Sequence, residues 1–595
     1  MSMDLVADCS TEPTSLSMDS ALVRFALASG SSASSPSISY VYGDCYDCSA
    51  TALPSFAFPA CFSLPTPYPT EFTVSCSTGG SAHLRLDPSQ FGSYTFSITD
   101  DGTSCAAAVH TDSSPSPLST ATPLLLLFLY LLLLSTCRFF YLRRQKARSP
   151  SQLGLPPSSS ADAPLLVSRR TSNSSAPSDL LPPARPRRVE SLDAFRGLSL
   201  VLMIFVNLGG GGYYFFNHST WNGLTVADLL FPWFVWIMGV TLGVTYRPAH
   251  CLSASVSQLK AAAARSARLF CLGLVLNSGG DDGDLSVLRI PGVLQYFAAS
   301  YLWLTLMAFA CEPYTDLTRN LHSAPSGLSK TSKFKYVLMG FVPLLIYWGI
   351  TQTVAPGGCP IGYTGPGGKG DQGKHYQCTG GGNRWVDEQL LGINHFYHDP
   401  TCAPVYDCVA YDPEGIMGAF SAAFLAFLGL VSGKVVKGIG LGVGATPAAE
   451  QNPKQGRGVR TVKWLGAQGL ILCAVAAALC GMSENGGPIP VNKNLWSPSF
   501  VLLCGGFANI VFAAFFYFVD VTHAWDGFPL REAGKNSIVL YMGHELLGSY
   551  MPFSLYLTAN SMTKHWGVLL SNVIGVTLWV VIALKMHERK MYVSV

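Results

Sequence analysis

A chain of 595 residues in which 49% of side chains are hydrophobic and 12% charged is poorly suited to a wholly aqueous surface, which normally carries about a quarter charged residues. Lipid is therefore the solvent implied for much of its length, and a net charge of +3 gives no case for a nucleic-acid partner. Seventeen cysteines, several of them in hydrophilic stretches at 45–105 and 359–408 with no spacing of a closed zinc site, point to disulfides in an oxidising compartment rather than to a metal.

Residues 1–120 are rich in Ser, Thr and Pro, with alternating patches such as Tyr94 to Ile98 that read as strands. They predict a small lumenal β domain stapled by disulfides. Its start lacks the basic and apolar regions of a signal peptide. The leucine-rich run from Pro123 to Leu134, followed by Arg138, predicts a first transmembrane helix within 121–141. Residues 142–192 are Ser/Pro-rich and basic (Arg143, Arg144, Arg187 and Arg188 among others) and predict a disordered cytosolic linker.

Ten further apolar segments fall within 193–595: 193–208, 225–246, 260–277, 291–311, 335–354, 413–432, 462–481, 498–519, 535–553 and 566–586. With the first they make about eleven crossings. The predicted fold is thus an all-α multi-spanning membrane bundle with a small N-terminal lumenal β domain. An odd count separates the termini, the N-terminus lumenal and the C-terminus cytosolic. Lys and Arg gather in the loops and tail assigned to the cytosol, and the Gly- and Cys-rich loop 355–412 falls in the lumen. Two motif lookalikes fail on context. The glycines from Gly438 to Gly444 have no βαβ unit around them and read as a flexible cytosolic linker, and His544-Glu545 lacks the second His of a zinc protease.

The chemistry-bearing residues cluster after 189. The run Val189-Glu-Ser-Leu-Asp-Ala-Phe-Arg-Gly197 leads to Asn207-Leu-Gly-Gly-Gly-Gly212, an aromatic stretch ending in Asn217-His218, and then Trp221 and Asp228. Four glycines at a helix end serve close backbone approach or unusual φ/ψ. Asp228 enters a helix at membrane depth, where an unpaired carboxylate is costly, and His544 and Glu545 lie near the middle of another span. Further motifs are Leu288-Arg-Ile-Pro-Gly-Val-Leu-Gln295, Gly362 to Asp371, Ala410 to Gly415, Ile489 to Ser497 and Asn536 to Glu545.

In order, these segments resemble the heparan-alpha-glucosaminide N-acetyltransferase family of lysosomal transmembrane enzymes and their bacterial relatives, over nearly all of 189–595. The resemblance implies that cytosolic acetyl-CoA gives its acetyl group to the terminal glucosamine of a glycosaminoglycan in the lumen, with no metal, in a likewise dimeric membrane protein. The family's active-site histidine falls on His218 and an associated asparagine on Asn207. Imidazole can take the proton of the attacking amine or accept the acetyl group itself, and Asn207 either donates to the oxyanion or joins helices. The phosphates of CoA need cations near the cytosolic face, for which Arg265, Arg268, Lys535, Asn536 and Ser537 are candidates, each with a membrane-anchoring alternative. For the sugar the candidates are Asp228, Trp221, Glu484, Asn485, Asn494, Trp496, His544 and Glu545. Two departures bear on substrate: Tyr296 stands where relatives carry Arg, and Gly212 where the relative has Lys. The alternatives are an acyltransferase for another glycan acceptor and a sugar transporter without chemistry. The tail Tyr592 to Val595 fits a tyrosine-based sorting signal.

Overall fold

The computed structural model describes residues 3–6, 9, 16–28, 36–76, 80–100, 105–115, 121–131, 133, 136, 188–247, 252–280, 284–311, 330–440, 453–558 and 564–593. The basic linker expected at 142–192 lies outside these residues up to 187. The chain divides into two units, Thr122–Arg188 and the remainder. Of the first, a short apolar helix, α1 (Ala121–Leu131, starting one residue earlier), is described.

In the larger unit the N-terminal region is a β-sandwich. One sheet has the order β1-β5-β2-β8-β9 (Asp4–Val6, Ala60–Pro65, Ser20–Leu27, Ser93–Asp100, Cys105–Ser113) and the other β4-β3-β6-β7 (Thr51–Ala52, Ser37–Tyr42, Thr70–Ser75, Ser81–Leu86). The alternation read at Tyr94 to Ile98 is the two-residue period of β8, with Tyr94, Phe96 and Ile98 inward. Phe72 of one sheet meets Phe25 and Phe96 of the other at ring separations of 5.9 and 4.9 Å, which sets the core between the layers. Disulfides join Cys9 to Cys61, Cys45 to Cys48 and Cys76 to Cys105, the last tying one sheet to the other. Two more, Cys359–Cys378 and Cys402–Cys408, staple the loop 355–412. That loop docks on the sandwich: the Tyr406 hydroxyl donates to the Asp44 carbonyl at 2.8 Å and the Gln372 amide to the Asp47 carbonyl at 2.8 Å.

The helical part comprises α2 (Glu190–Asn207), α3 (Val226–Thr245), α4 (Leu252–Asn277), α5 (Val293–Cys311), α6 (Lys330–Thr353), α7 (Gly381–Leu391), α8 (Ala403–Tyr406), α9 (Ile416–Val435), α10 (Pro453–Leu479), α11 (Pro498–Phe516), α12 (Leu530–Lys535), α13 (Ser537–Leu547) and α14 (His565–Glu588). Seven of the described helices, α3, α5, α6, α9, α10, α11 and α14, are long and apolar enough to cross a membrane. The other segments read as crossings also form helices, but less simply. Glu190, Asp193 and Arg196 charge α2, and Lys260, Arg265 and Arg268 charge α4. The stretch 535–553 is broken at Asn536 (φ −116°, ψ 35°) and its helix ends at Leu547, so that α13 is only 11 residues long. The glycines from Gly438 begin inside a π-helical extension of α9, Val436–Gly440, rather than in a loop; the rest of that run lies outside the described residues.

Close packing centres on α3 and α9. A Cβ at Gly239 would stand 1.9 Å from the Ala426 carbonyl oxygen, and one at Gly433 2.3 Å from that of Val240. Spaced four apart, Gly239/Gly243 and Gly429/Gly433 let the two backbones touch, which is how helices associate where lipid removes the hydrophobic drive. At the rim α10 exposes Trp464, Leu470 and Ile471, and α6 exposes Val337, Leu338 and Leu345, apolar faces suited to hydrocarbon.

Candidate active site

Helix α2 ends at Asn207, and the four glycines that follow all have positive φ: 113°, 57°, 71° and 74° from Gly209 to Gly212. No other residue type takes this conformation four times running without strain. The turn is gripped by α14. Asn572 accepts from the Gly211 amide at 2.7 Å and donates to the Leu208 carbonyl at 2.6 Å. His565 stacks on Tyr213 with ring centroids 4.2 Å apart; its Nδ1 lies 3.2 Å from the Gly211 carbonyl and its Nε2 2.9 Å from Gln90 of the sandwich.

The turn delivers His218 to the N-terminus of α3. There Asp228 closes a capping box with Thr225. Its Oδ2 accepts from the Thr225 amide and hydroxyl, both at 3.0 Å, and from the Ser219 amide at 3.2 Å. This leaves Oδ1 for His218 Nδ1 at 2.7 Å, with Lys493 Nζ at 3.8 Å. The carboxylate is fully buried, whereas the His218 side chain is 37% exposed. Three donors, a lysine and the helix dipole stabilise the anion in place. A carboxylate at Nδ1 keeps the proton on that nitrogen and turns a basic Nε2 outward. Asp228, read from sequence as a sugar contact, is thus the partner of His218.

Asn207 belongs to a different cluster. Its amide nitrogen is 3.0 Å from His544 Nε2 and donates to Glu545 Oε1 at 2.9 Å, while His544 Nδ1 is 3.0 Å from the Leu540 carbonyl. The polar loop after α10 lies against the His218 segment. Asn222 donates to Asn485 at 2.8 Å and accepts from Asn492 at 3.0 Å, and Glu484 faces Gly223. Asn494 accepts from Thr401, with its amide nitrogen buried and unpaired. The two tryptophans read as sugar contacts are in packing. Trp221, 1% exposed, donates to the Thr364 carbonyl, and Trp496, fully buried, fills a cluster with Phe231, Tyr296 and Phe500.

At the C-terminal end of α3 a cavity of about 350 Å³ opens among Arg196, Thr241, Thr245, Arg265, Lys535 and Ser537. The Arg265 guanidinium lies 4.6 Å over the Tyr301 ring. Asn536 does not line the cavity; buried behind it, its side-chain oxygen accepts from the Val593 amide at 3.3 Å. Arg268 also does not line it and turns back to the Ala264 carbonyl. Arg196 enters instead, donating to Thr241 at 3.1 Å and Asp193 at 3.2 Å. It was missed as a site residue, although a cation inside an apolar run was signal enough. The cavity reaches inward to Met203 and Tyr541, about one helical turn short of Asn207 and His544 respectively.

No family model matches the sequence. It is 38% identical over 415 residues to heparan-alpha-glucosaminide N-acetyltransferase of Homo sapiens, covering 69% of this chain and 60% of that protein. Against the enzyme of the same name from Mus musculus it is 38% identical over 413 residues, 68% of this chain and 60% of the relative. The chain belongs to the heparan-alpha-glucosaminide N-acetyltransferase family. It spans about three-fifths of the length of the curated relatives it matches. Against the family pattern, Tyr296 is a packing residue whose hydroxyl donates to the Gly415 carbonyl at 2.6 Å. Gly212 sits at φ 74°, where a Cβ would press on Met18 of the sandwich at 3.1 Å. Among the described residues, no group of three or more His, Cys, Asp or Glu is arranged to hold a metal ion.

Proposed function

We propose that this chain is a transmembrane N-acetyltransferase that moves the acetyl group of cytosolic acetyl-CoA onto the amine of a terminal glucosamine, of heparan sulfate or a related amino sugar, in the lysosomal lumen. The observation that carries the reading is the 2.7 Å contact between His218 and a buried, multiply bonded Asp228. With Nδ1–H held by Asp228, Nε2 takes the proton of the sugar amine as its nitrogen forms a bond to the acetyl carbon. The C–S bond breaks, and CoA leaves as the thiolate. If the imidazole first accepts the acetyl group, the same Nε2 is the reacting atom.

Arg196, Arg265, Lys535 and Ser537 would hold the phosphates of CoA, and the cavity beside them points its acyl end toward Asn207 and His544. Glu484 and Asn485, in the loop packed against the His218 segment, offer the sugar hydrogen-bonding groups, while Asn494 is buried and supports that loop. The same reading carries eleven crossings, the β domain lumenal and the tail cytosolic, domains at 1–120, 121–141, 142–192 and 193–595, and a homodimer. The five disulfides among the described residues fall in the stretches assigned to the lumen, which supports that orientation.

The test uses sealed vesicles with the protein oriented cytosol side out, labelled acetyl-CoA outside and glucosamine inside. Label on lumenal glucosamine with the wild type and its loss with His218→Ala is the expected result. Label with both retires His218. Label with neither, but with another glycan acceptor supplied, assigns a different substrate, and sugar flux without CoA release assigns a transporter.

A further inference from the structure

A carboxylate at Nδ1 acts on His218 in two opposed ways. It selects the tautomer with a basic Nε2, but an anion 2.7 Å from the ring also favours the imidazolium, which can take no proton from an amine. In an acidic lumen the second effect would leave little free base unless another charge opposed it. Lys493, in the turn between α10 and α11, supplies one. It is 8% exposed and sets its ammonium 3.8 Å from Asp228 Oδ1, the oxygen that also meets His218 Nδ1. A cation so placed repels a second positive charge on the ring, and burial keeps water and salt from screening the two.

The turn that carries this lysine is fixed at both ends. The Lys493 carbonyl accepts from the Trp496 amide at 3.0 Å, Ser497 Oγ accepts from the Asn492 amide at 3.1 Å, and the Asn492 side chain donates to Asn222 at 3.0 Å, four residues beyond His218. The other charges nearby are anions or are already engaged. Glu414, just before α9, lies within electrostatic reach of Lys493 and His218 and acts against the lysine. Arg289 is bound to Glu414 at 2.5 Å and to Asp412 at 2.7 and 2.8 Å. Glu484, after α10, faces Gly223 further along the His218 segment. We propose that Lys493 is a positioning residue that keeps His218 unprotonated in an acidic lumen by offsetting the charge of Asp228. Its place in catalysis rests on the acetyl-transfer reading; its effect on the imidazole does not.

The test uses the full-length protein in nanodiscs and diethyl pyrocarbonate, which modifies imidazole only when it is unprotonated. The rate at His218, whose side chain is 37% exposed, is followed from acid to neutral pH by mass spectrometry of its peptide. Lys493→Met and Lys493→Gln should each raise the midpoint of that profile by about one pH unit, the usual effect of a close like charge. Lys493→Arg should restore it, and Glu414→Gln should lower it. If Lys493→Met fails to fold, as judged by thermal unfolding, Lys493→Gln decides. The acid limb of kcat/KM for acetyl transfer in oriented vesicles should move with the midpoint. A midpoint indifferent to the loss of the lysine charge overturns the proposal. So do shifts of one sign in both Lys493→Gln and Glu414→Gln, which would mark a loosened turn. Opposed shifts in a protein that transfers no acetyl group would sink the acetyltransferase reading and leave the action of Lys493 on His218 standing.

Discussion

Replacing Asp228 by Asn tests the His218 arrangement by exchanging one carboxylate oxygen for an NH₂ group. The Oδ2 position is fixed by donors: the amides of Ser219 and Thr225 point at it from 3.2 and 3.0 Å. The asparagine must put its oxygen there, so its NH₂ faces His218 Nδ1. That nitrogen then has to accept, the ring proton moves to Nε2, and the outward nitrogen is no longer a base. In a His–carboxylate pair this tautomer inversion costs about 10³–10⁴ in kcat, or about 4–5.5 kcal/mol. The volume and the hydrogen bonds at Oδ2 are kept but buried Lys493 loses its anionic partner, so the thermal unfolding midpoint should fall while the folded state is retained. The assay is single-turnover acetyl transfer in oriented vesicles across pH 5–8. Because the two residues act as a unit, His218→Ala/Asp228→Asn should be no slower than His218→Ala alone. A kcat for Asp228→Asn within tenfold of wild type, or effects of the two changes that simply multiply, would refute the reasoning.

Arg265→Ala and Lys535→Ala should each raise KM for acetyl-CoA about 10- to 100-fold, the worth of a charge-assisted phosphate contact, while Arg268→Ala stays within twofold; initial-rate kinetics separate them. Burial pushes the Asp387 carboxyl up to about 8 from 3.8, so the folded protein holds a proton there that the unfolded chain releases. Its contribution to stability is full below about pH 4 and is lost as pH rises to about 8. Thermal unfolding should therefore show a midpoint falling over that window in the wild type and a flatter profile in Asp387→Asn. Gly433→Val drives a branched side chain into the Val240 carbonyl; it should cost well over the ~1–3 kcal/mol of ordinary overpacking and abolish monodisperse elution in detergent.

Helices were legible because apolar runs carry their own length: the expected 225–246 and 498–519 became Val226–Thr245 and Pro498–Phe516. The sandwich was legible as strands from a two-residue period, but the parallel pairing of β2 with β8 was not, since Leu22 and Ser93 meet only in the assembled sheets. His218 and Asn207 could be named from motif resemblance, whereas their partners could not. Asp228 is ten residues from His218 and reaches it only because the chain doubles back at Thr225; His544 is 337 residues from Asn207. Trp221 and Trp496 misled because an aromatic in a polar loop suits a sugar and a core equally well, and burial decides.

The grip of Asn572 on the tetraglycine turn has a consequence for biogenesis. Its contact to Gly211 spans 361 residues, which a ribosome needs roughly 20–70 s to add. Throughout that interval the segment bearing His218 has been made but its clasp has not. The clasp on this turn therefore forms only after α14 has been made, and a chain cut short before Asn572 has the His218 segment with an unlatched turn. Quality control that inspects this chain should find its decisive checkpoint at α14.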